Sequence, residues 1–86
     1  MLRAEAINMD FRYVVILEPE GGMFNVIVPA LPEVATFGST VEEALEMARD
    51  AIQLSLQYRR DKGLEIPPSD DGVARVETIS VTLPAA

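Results

Sequence analysis

The chain has 86 residues, 49% of them apolar, which is enough for one packed domain near the small end of what folds on a single core. Cysteine and histidine are absent, which excludes disulfide frameworks, thiolate and imidazole metal sites, cysteine nucleophiles and any Ser-His-Asp arrangement. The formal charge of −7, from 7 Lys and Arg against 14 Asp and Glu, argues against non-specific nucleic-acid binding, which needs a cationic surface. It suits a basic protein partner, although solubility alone explains it equally well.

Residues 1–10 mix Ala, Glu, Arg and Asn without a clean period and read as an N-terminal extension, leaving 11–86 as a single domain. Phe11–Leu17 is rich in aromatic and β-branched residues and predicts a first, interior strand. Glu18-Pro19-Glu20-Gly21-Gly22 predicts a hairpin turn, with Met23–Val28 as the return strand, Phe24, Val26 and Val28 on one face and Asn25 on the other. Pro29-Ala30-Leu31-Pro32 then turns the chain, and Val34–Phe37 predicts a short third strand ending at Gly38.

The stretch from Ser39 to Gly63 predicts the one helix. Thr40 stands at the N-cap and Glu43 completes a capping box three residues on. Glu42, Glu43 and Glu46 load the first turns and Arg59, Arg60 and Lys62 the last, matching the helix dipole, so the basic cluster reads as dipole complement and not as a nucleic-acid patch. Gly63 supplies the left-handed stop. Val41, Ala44, Leu45, Ala48, Ala51, Ile52 and Leu56 form one apolar stripe at 3.6-residue spacing. Met47, Leu54 and Tyr58 lie to one side and widen the apolar arc to roughly 200°, against roughly 100° for a helix on one surface. This flank is either core beneath the Leu64–Pro68 loop or the extension, or a partner or oligomer interface. Self-association is expected through it or through a sheet edge.

Leu64–Gly72 is loop, and Val73–Leu83 predicts a last strand, with Ile79, Val81 and Leu83 alternating against Thr78, Ser80 and Thr82. The order is β-β-β-α-β, an α+β fold with one helix on a four-stranded mixed sheet; the spacing does not name the fourth strand's neighbour. Gly38-Ser39-Thr40 at a helix start lacks the lysine of a phosphate loop and is followed by acids, so turn and cap are the better reading. No signal pattern and no apolar run near the ~20 residues of a bilayer span is present, so a soluble cytoplasmic protein is expected.

Several of these motifs, taken in order, resemble the N-terminal domain of HicB-type antitoxins. They are Glu18-Pro19-Glu20-Gly21-Gly22, Pro29-Ala30-Leu31-Pro32, Gly38-Ser39-Thr40-Val41-Glu42-Glu43-Ala44-Leu45, and the small-residue helix face of Ala48, Ala51 and Ile52. Glu33-Val34 stands where that family usually has Gly-Cys. The resemblance implies a truncated ribonuclease H-like domain of sheet order 3-2-1-4; from the residues themselves, no catalytic, cofactor-binding or metal residues are expected. It also implies a partner, HicA, a small basic ribonuclease toxin that the domain neutralises by occlusion. The alternative is a stand-alone structural or regulatory homo-oligomer with no toxin. A C-terminal DNA-binding segment is usual in the family, and none follows the last predicted strand, so direct DNA binding is not expected. Catalysis in a ribonuclease H-like fold would need converging carboxylates, and the predicted first strand, Phe11–Leu17, holds none.

Overall fold

The computed structural model describes residues 9–70 and 77–85. Within them the chain forms β1 (Ile16–Glu20), β2 (Met23–Ile27), β3 (Thr36–Gly38) and α1 (Val41–Lys62). The fold of the described residues is α+β, a three-stranded antiparallel sheet in the order β1-β2-β3 with one helix packed on it.

The hairpin is tighter than the turn composition predicts. Gly21 (φ 58) and Gly22 (φ 80) form the whole loop, and two successive positive φ values are what a type I′ turn demands. The ladder therefore runs right up to them, with Glu20 opposite Met23 and Ile16 opposite Ile27. This corrects the predicted first strand: Glu18, Pro19 and Glu20 belong to β1, whereas Phe11–Val15 lies outside any strand. Pro19 is compatible with a strand because a two-residue loop makes Glu20 and Met23 the bonded pair. By alternation the proline nitrogen then faces the open edge, where no donor is needed. The third strand is likewise shifted, to Thr36–Gly38.

Residues 11–15 are held instead by the loop that follows the helix. Ser69 Oγ accepts from Arg12 N–H (3.0 Å), Asp70 Oδ2 accepts from Val14 N–H (2.9 Å), and Asp70 N–H donates to Arg12 C=O (2.8 Å). The Tyr13 hydroxyl donates to the Pro67 carbonyl at 2.6 Å. Burial, with Asp70 nearby, raises the Tyr13 pKa.

A fourth strand is not present among the described residues. Val73–Val76 of the predicted strand lies outside them, and residues 77–85 adopt no regular structure. Ile79, Val81 and Leu83, expected on a buried face, are each more than four-fifths exposed, because no described element packs against them. Of the predicted N-terminal extension, residues 1–8 lie outside the described set and Met9 and Asp10 are exposed.

The core lies between sheet and helix: Val26, Val28, Leu31, Val34, Ala44 and Ala48 are buried, with Tyr13, Val15, Leu17, Phe24, Ala51, Ile52 and Leu56 packed around them. Leu31 and Val28 are the largest fully enclosed side chains, each stabilising by about 2 kcal/mol on burial. Leu31 reaches the core from the Pro-rich loop through two successive turns, Leu31 N–H to Val28 C=O (2.9 Å) and Val34 N–H to Leu31 C=O (3.0 Å). The helix seam is narrower than the predicted stripe. Ala44 and Ala48 are buried, but Val41 and Leu45, at its edge, are about two-fifths exposed.

Candidate functional site

Thr40 has extended backbone, and its hydroxyl accepts from Glu43 N–H at 3.0 Å. The Glu43 carboxylate reaches back one residue beyond the cap, accepting from Ser39 N–H (2.6 Å) and the Ser39 hydroxyl (2.9 Å). Those two bonds, the backbone one first, lower the Glu43 pKa. Thr40 and Glu43 are therefore occupied in fixing the start of α1. At the other end Gly63 (φ 70) donates to Arg60 C=O at 3.2 Å and Leu64 N–H to Arg59 C=O at 2.7 Å, the bond pattern of a Schellman stop.

The structure leaves all three residues of the predicted flank in solvent: Met47 is 43%, Leu54 67% and Tyr58 59% exposed. Leu64, half exposed, joins them. A depression of about 700 Å³ runs between the helix and the loops around it, lined by Leu54, Tyr58 and Leu64 with Glu33, Val34, Ala51 and Arg59. Met47 is one turn further up the same face and does not line it.

The floor is rigidified by a clasp between the β2–β3 loop and the helix. Arg59 grips Glu33 bidentately, Nε to Oε2 at 3.0 Å and Nη2 to Oε1 at 2.9 Å. Ser55 also donates to Glu33, and Arg59 Nη1 donates to the Glu65 carbonyl at 2.8 Å. The Arg59 guanidinium first, then the Ser55 hydroxyl, pull the Glu33 pKa down to about 2. Lys62 Nζ stands 5.9 Å from the centre of the Tyr58 ring, within cation–π range.

Neither the clasp nor Leu64 was among the predicted site residues. Glu33 and Arg59 are 26 residues apart, and no local pattern links them. Leu64 could have been found, since a Schellman stop commonly carries an apolar residue right after its glycine.

On the other side of α1 a larger groove, about 1060 Å³, opens between Leu45, Ile52 and Leu56 and the segment of Tyr13 and Val15. Acids are scattered. Glu18 and Glu20, predicted in a turn, stand in β1, so the first strand does carry carboxylates, but both are exposed. Among the described residues no group of three or more His, Cys, Asp or Glu could hold a metal ion, and no helix is long and apolar enough to cross a membrane.

No protein-family model matches the chain. Curated relatives do: Antitoxin HicB 1 of Photorhabdus laumondii subsp. laumondii is 47% identical over 63 residues, which is 71% of this chain and 40% of that protein. Antitoxin HicB 2 of the same organism is 39% identical over 72 residues, 83% of this chain and 52% of that protein. The chain is HicB-like. It spans about half the length, or less, of these curated relatives. In this HicB-like chain the cap residues serve the helix, while Met47, Leu54 and Tyr58 are exposed and lie outside the core cluster.

Proposed function

We propose that this HicB-like chain is a non-catalytic antitoxin domain that binds and occludes a small basic ribonuclease of the HicA type. Identity of 39% and 47% to two HicB antitoxins carries the proposal. The contact surface is the α1 flank of Met47, Leu54 and Tyr58, widened by Leu64. At 100° per residue, Glu43, Asp50 and Asp61 fall along its solvent side, giving an apolar strip with an acidic rim. Such a rim accelerates encounter with a cationic partner, and the strip supplies desolvated contact area.

The domain spans residues 11–86 of a cytoplasmic protein. Its sheet is completed by a fourth strand beside β1, in the ribonuclease H-like order 3-2-1-4. The resemblance to HicB domains supports this, as does the position of β1 at the edge of the described sheet. Self-association runs through the α1 flank or a sheet edge, and the exposure of Met47, Leu54 and Tyr58 supports it. Mg²⁺- or Mn²⁺-dependent RNA cleavage abolished by Glu18→Gln would overturn the non-catalytic reading.

The test is inhibition of RNA cleavage by the small basic product of the adjoining reading frame. An equimolar amount of this chain suppresses cleavage. Leu54→Glu weakens the complex at least about tenfold, as expected for losing a central apolar anchor, without altering the fold of a residue already in solvent. Full toxin activity in excess wild-type chain refutes the proposal. An unchanged affinity in Leu54→Glu moves the contact off the flank.

A further inference from the structure

The face of the sheet turned away from α1 carries no helix or further strand among the described residues. Alternation sends Leu17, Phe24 and Val26 to the helix side and Ile16, Glu18, Asn25, Ile27 and Phe37 to the outer side. Strand pairing sorts the outer side chains into rows. Ile16 lies across from Ile27, and Glu18, Asn25 and Phe37 stand in one line across all three strands. Ile16, Ile27 and Phe37 are 41%, 40% and 56% exposed. Glu20 is engaged, its Oε1 accepting from Asn25 Nδ2 at 2.6 Å. The Glu18 carboxylate has no partner among the described residues. The paired positions of this face hold two carboxylates, Glu18 and Glu20, and no cation.

We propose that this outer face is a second protein-contact surface, which takes a basic segment by laying an arginine across Phe37 onto Glu18 and an aliphatic side chain onto Ile16 and Ile27. At about 4.8 Å per strand, Phe37 and Glu18 are roughly 10 Å apart across the sheet. An arginine can cover that span, its stem and guanidinium plane against the ring and its fork on the carboxylate. The isoleucine row lies two residues along the strands, roughly 7 Å away, which is the spacing of alternate side chains on an extended partner. The same face of a second copy is a poor occupant, because it sets carboxylates against carboxylates and brings no cation. The surface is separate from the α1 flank, since the helix packs on the opposite side of the sheet, and it does not rest on the toxin reading.

The test maps amide shifts in the isotope-labelled full chain on titration with a short peptide alternating Arg, Ser, Ile, Ser, Arg, Ser. Shifts concentrate at Ile16, Glu18, Ile27 and Phe37. Glu18→Gln and Phe37→Ala each weaken binding, the former by about tenfold or more, as expected for a lost charge-assisted bond. Leu54→Glu leaves it unchanged, and replacing Arg by Glu in the peptide abolishes it. Absence of shifts at millimolar peptide, shifts spread over all the carboxylates or centred on α1, or equal affinity in Glu18→Gln would each overturn the proposal. Both substituted side chains are exposed, so the variants keep the fold.

Discussion

Gly38 offers the sharpest test of how α1 is seated. Its φ is not positive, so its backbone would admit any residue. What it lacks is space: an added Cβ would stand 2.4 Å from Ala44 N, 2.7 Å from Ala44 Cα and 2.9 Å from the Glu43 carbonyl carbon. All three are backbone atoms of the first helical turn, so no side chain can rotate away. The helix must lift from β3 by about 1 Å, which opens the seam where Ala44 and Ala48 are buried. Overpacking commonly costs 1–3 kcal/mol, and contact with backbone puts Gly38→Ala at the upper end, about 3 kcal/mol. That is a large share of the roughly 4–13 kcal/mol expected for 86 residues. Urea unfolding followed by far-UV circular dichroism should show the midpoint fall by about 2 M. Gly21→Ala is the control. Its Cβ would meet nothing within 4 Å, and it suffers only the strain of φ 58, about 1 kcal/mol. A midpoint for Gly38→Ala within about 0.5 M of wild type would show that helix and sheet part at little cost, and would refute close approach as the reason for the glycine.

Two further perturbations act at the ends of the helix. Thr40→Ala removes the acceptor of Glu43 N–H and should cost about 1 kcal/mol in the same denaturation assay, with Thr40→Ser close to wild type. The Glu33 pKa, depressed to about 2, makes the clasp a source of stability that is complete above the ordinary carboxylate pKa and lost as pH falls through the folded value, from about pH 4 to about pH 2. Because the Glu33 side chain is 44% exposed, screening limits the contribution to about 0.5–1 kcal/mol. Wild type should therefore exceed Glu33→Gln in stability at neutral pH, and the gap should close across that acid window. A constant gap down to pH 2 would count against the ion pair.

What the sequence makes legible is what depends on neighbouring residues. The bounds of α1 follow from Thr40, the charge gradient and Gly63, all signals contained in a few consecutive positions. The hairpin is legible as a turn, but its length is not. Pro19 looks like a strand breaker until the two-glycine loop fixes which way its nitrogen faces. Leu31 hides for a similar reason. Pro-Ala-Leu-Pro is loop composition, and only the path of the chain turns that leucine into the core. The Glu33–Arg59 clasp joins positions that no periodicity couples, so Arg59 reads from sequence as dipole complement alone. The outer sheet face escapes because the pattern that predicts the first strand ends at Leu17 and places Glu18 in a turn.

The exposed flank follows from how the seam is built. Gly38 and the buried Ala44 and Ala48 bring helix and sheet backbones close together, and a close approach leaves no volume for large side chains along the line of contact. Bulk must therefore stand to either side of it. On one side Leu45, Ile52 and Leu56 face a groove whose opposite wall includes Tyr13 and Val15, a segment tied down by Ser69 and Asp70. On the other, Leu54 and Tyr58 border a shallow depression with Val34, Ala51, Leu64 and the clasp, in which Arg59 bonds both Glu33 and the Glu65 carbonyl. The first flank is supplied with apolar partners by its own chain. The second has a rigid polar floor and a largely uncovered apolar strip, the arrangement that gains most from an outside partner. The asymmetry between the two sides, set by small residues at the seam, is the physical reason we propose partner contact at Leu54 and Tyr58, while Ile52 and Leu56 pack against the core.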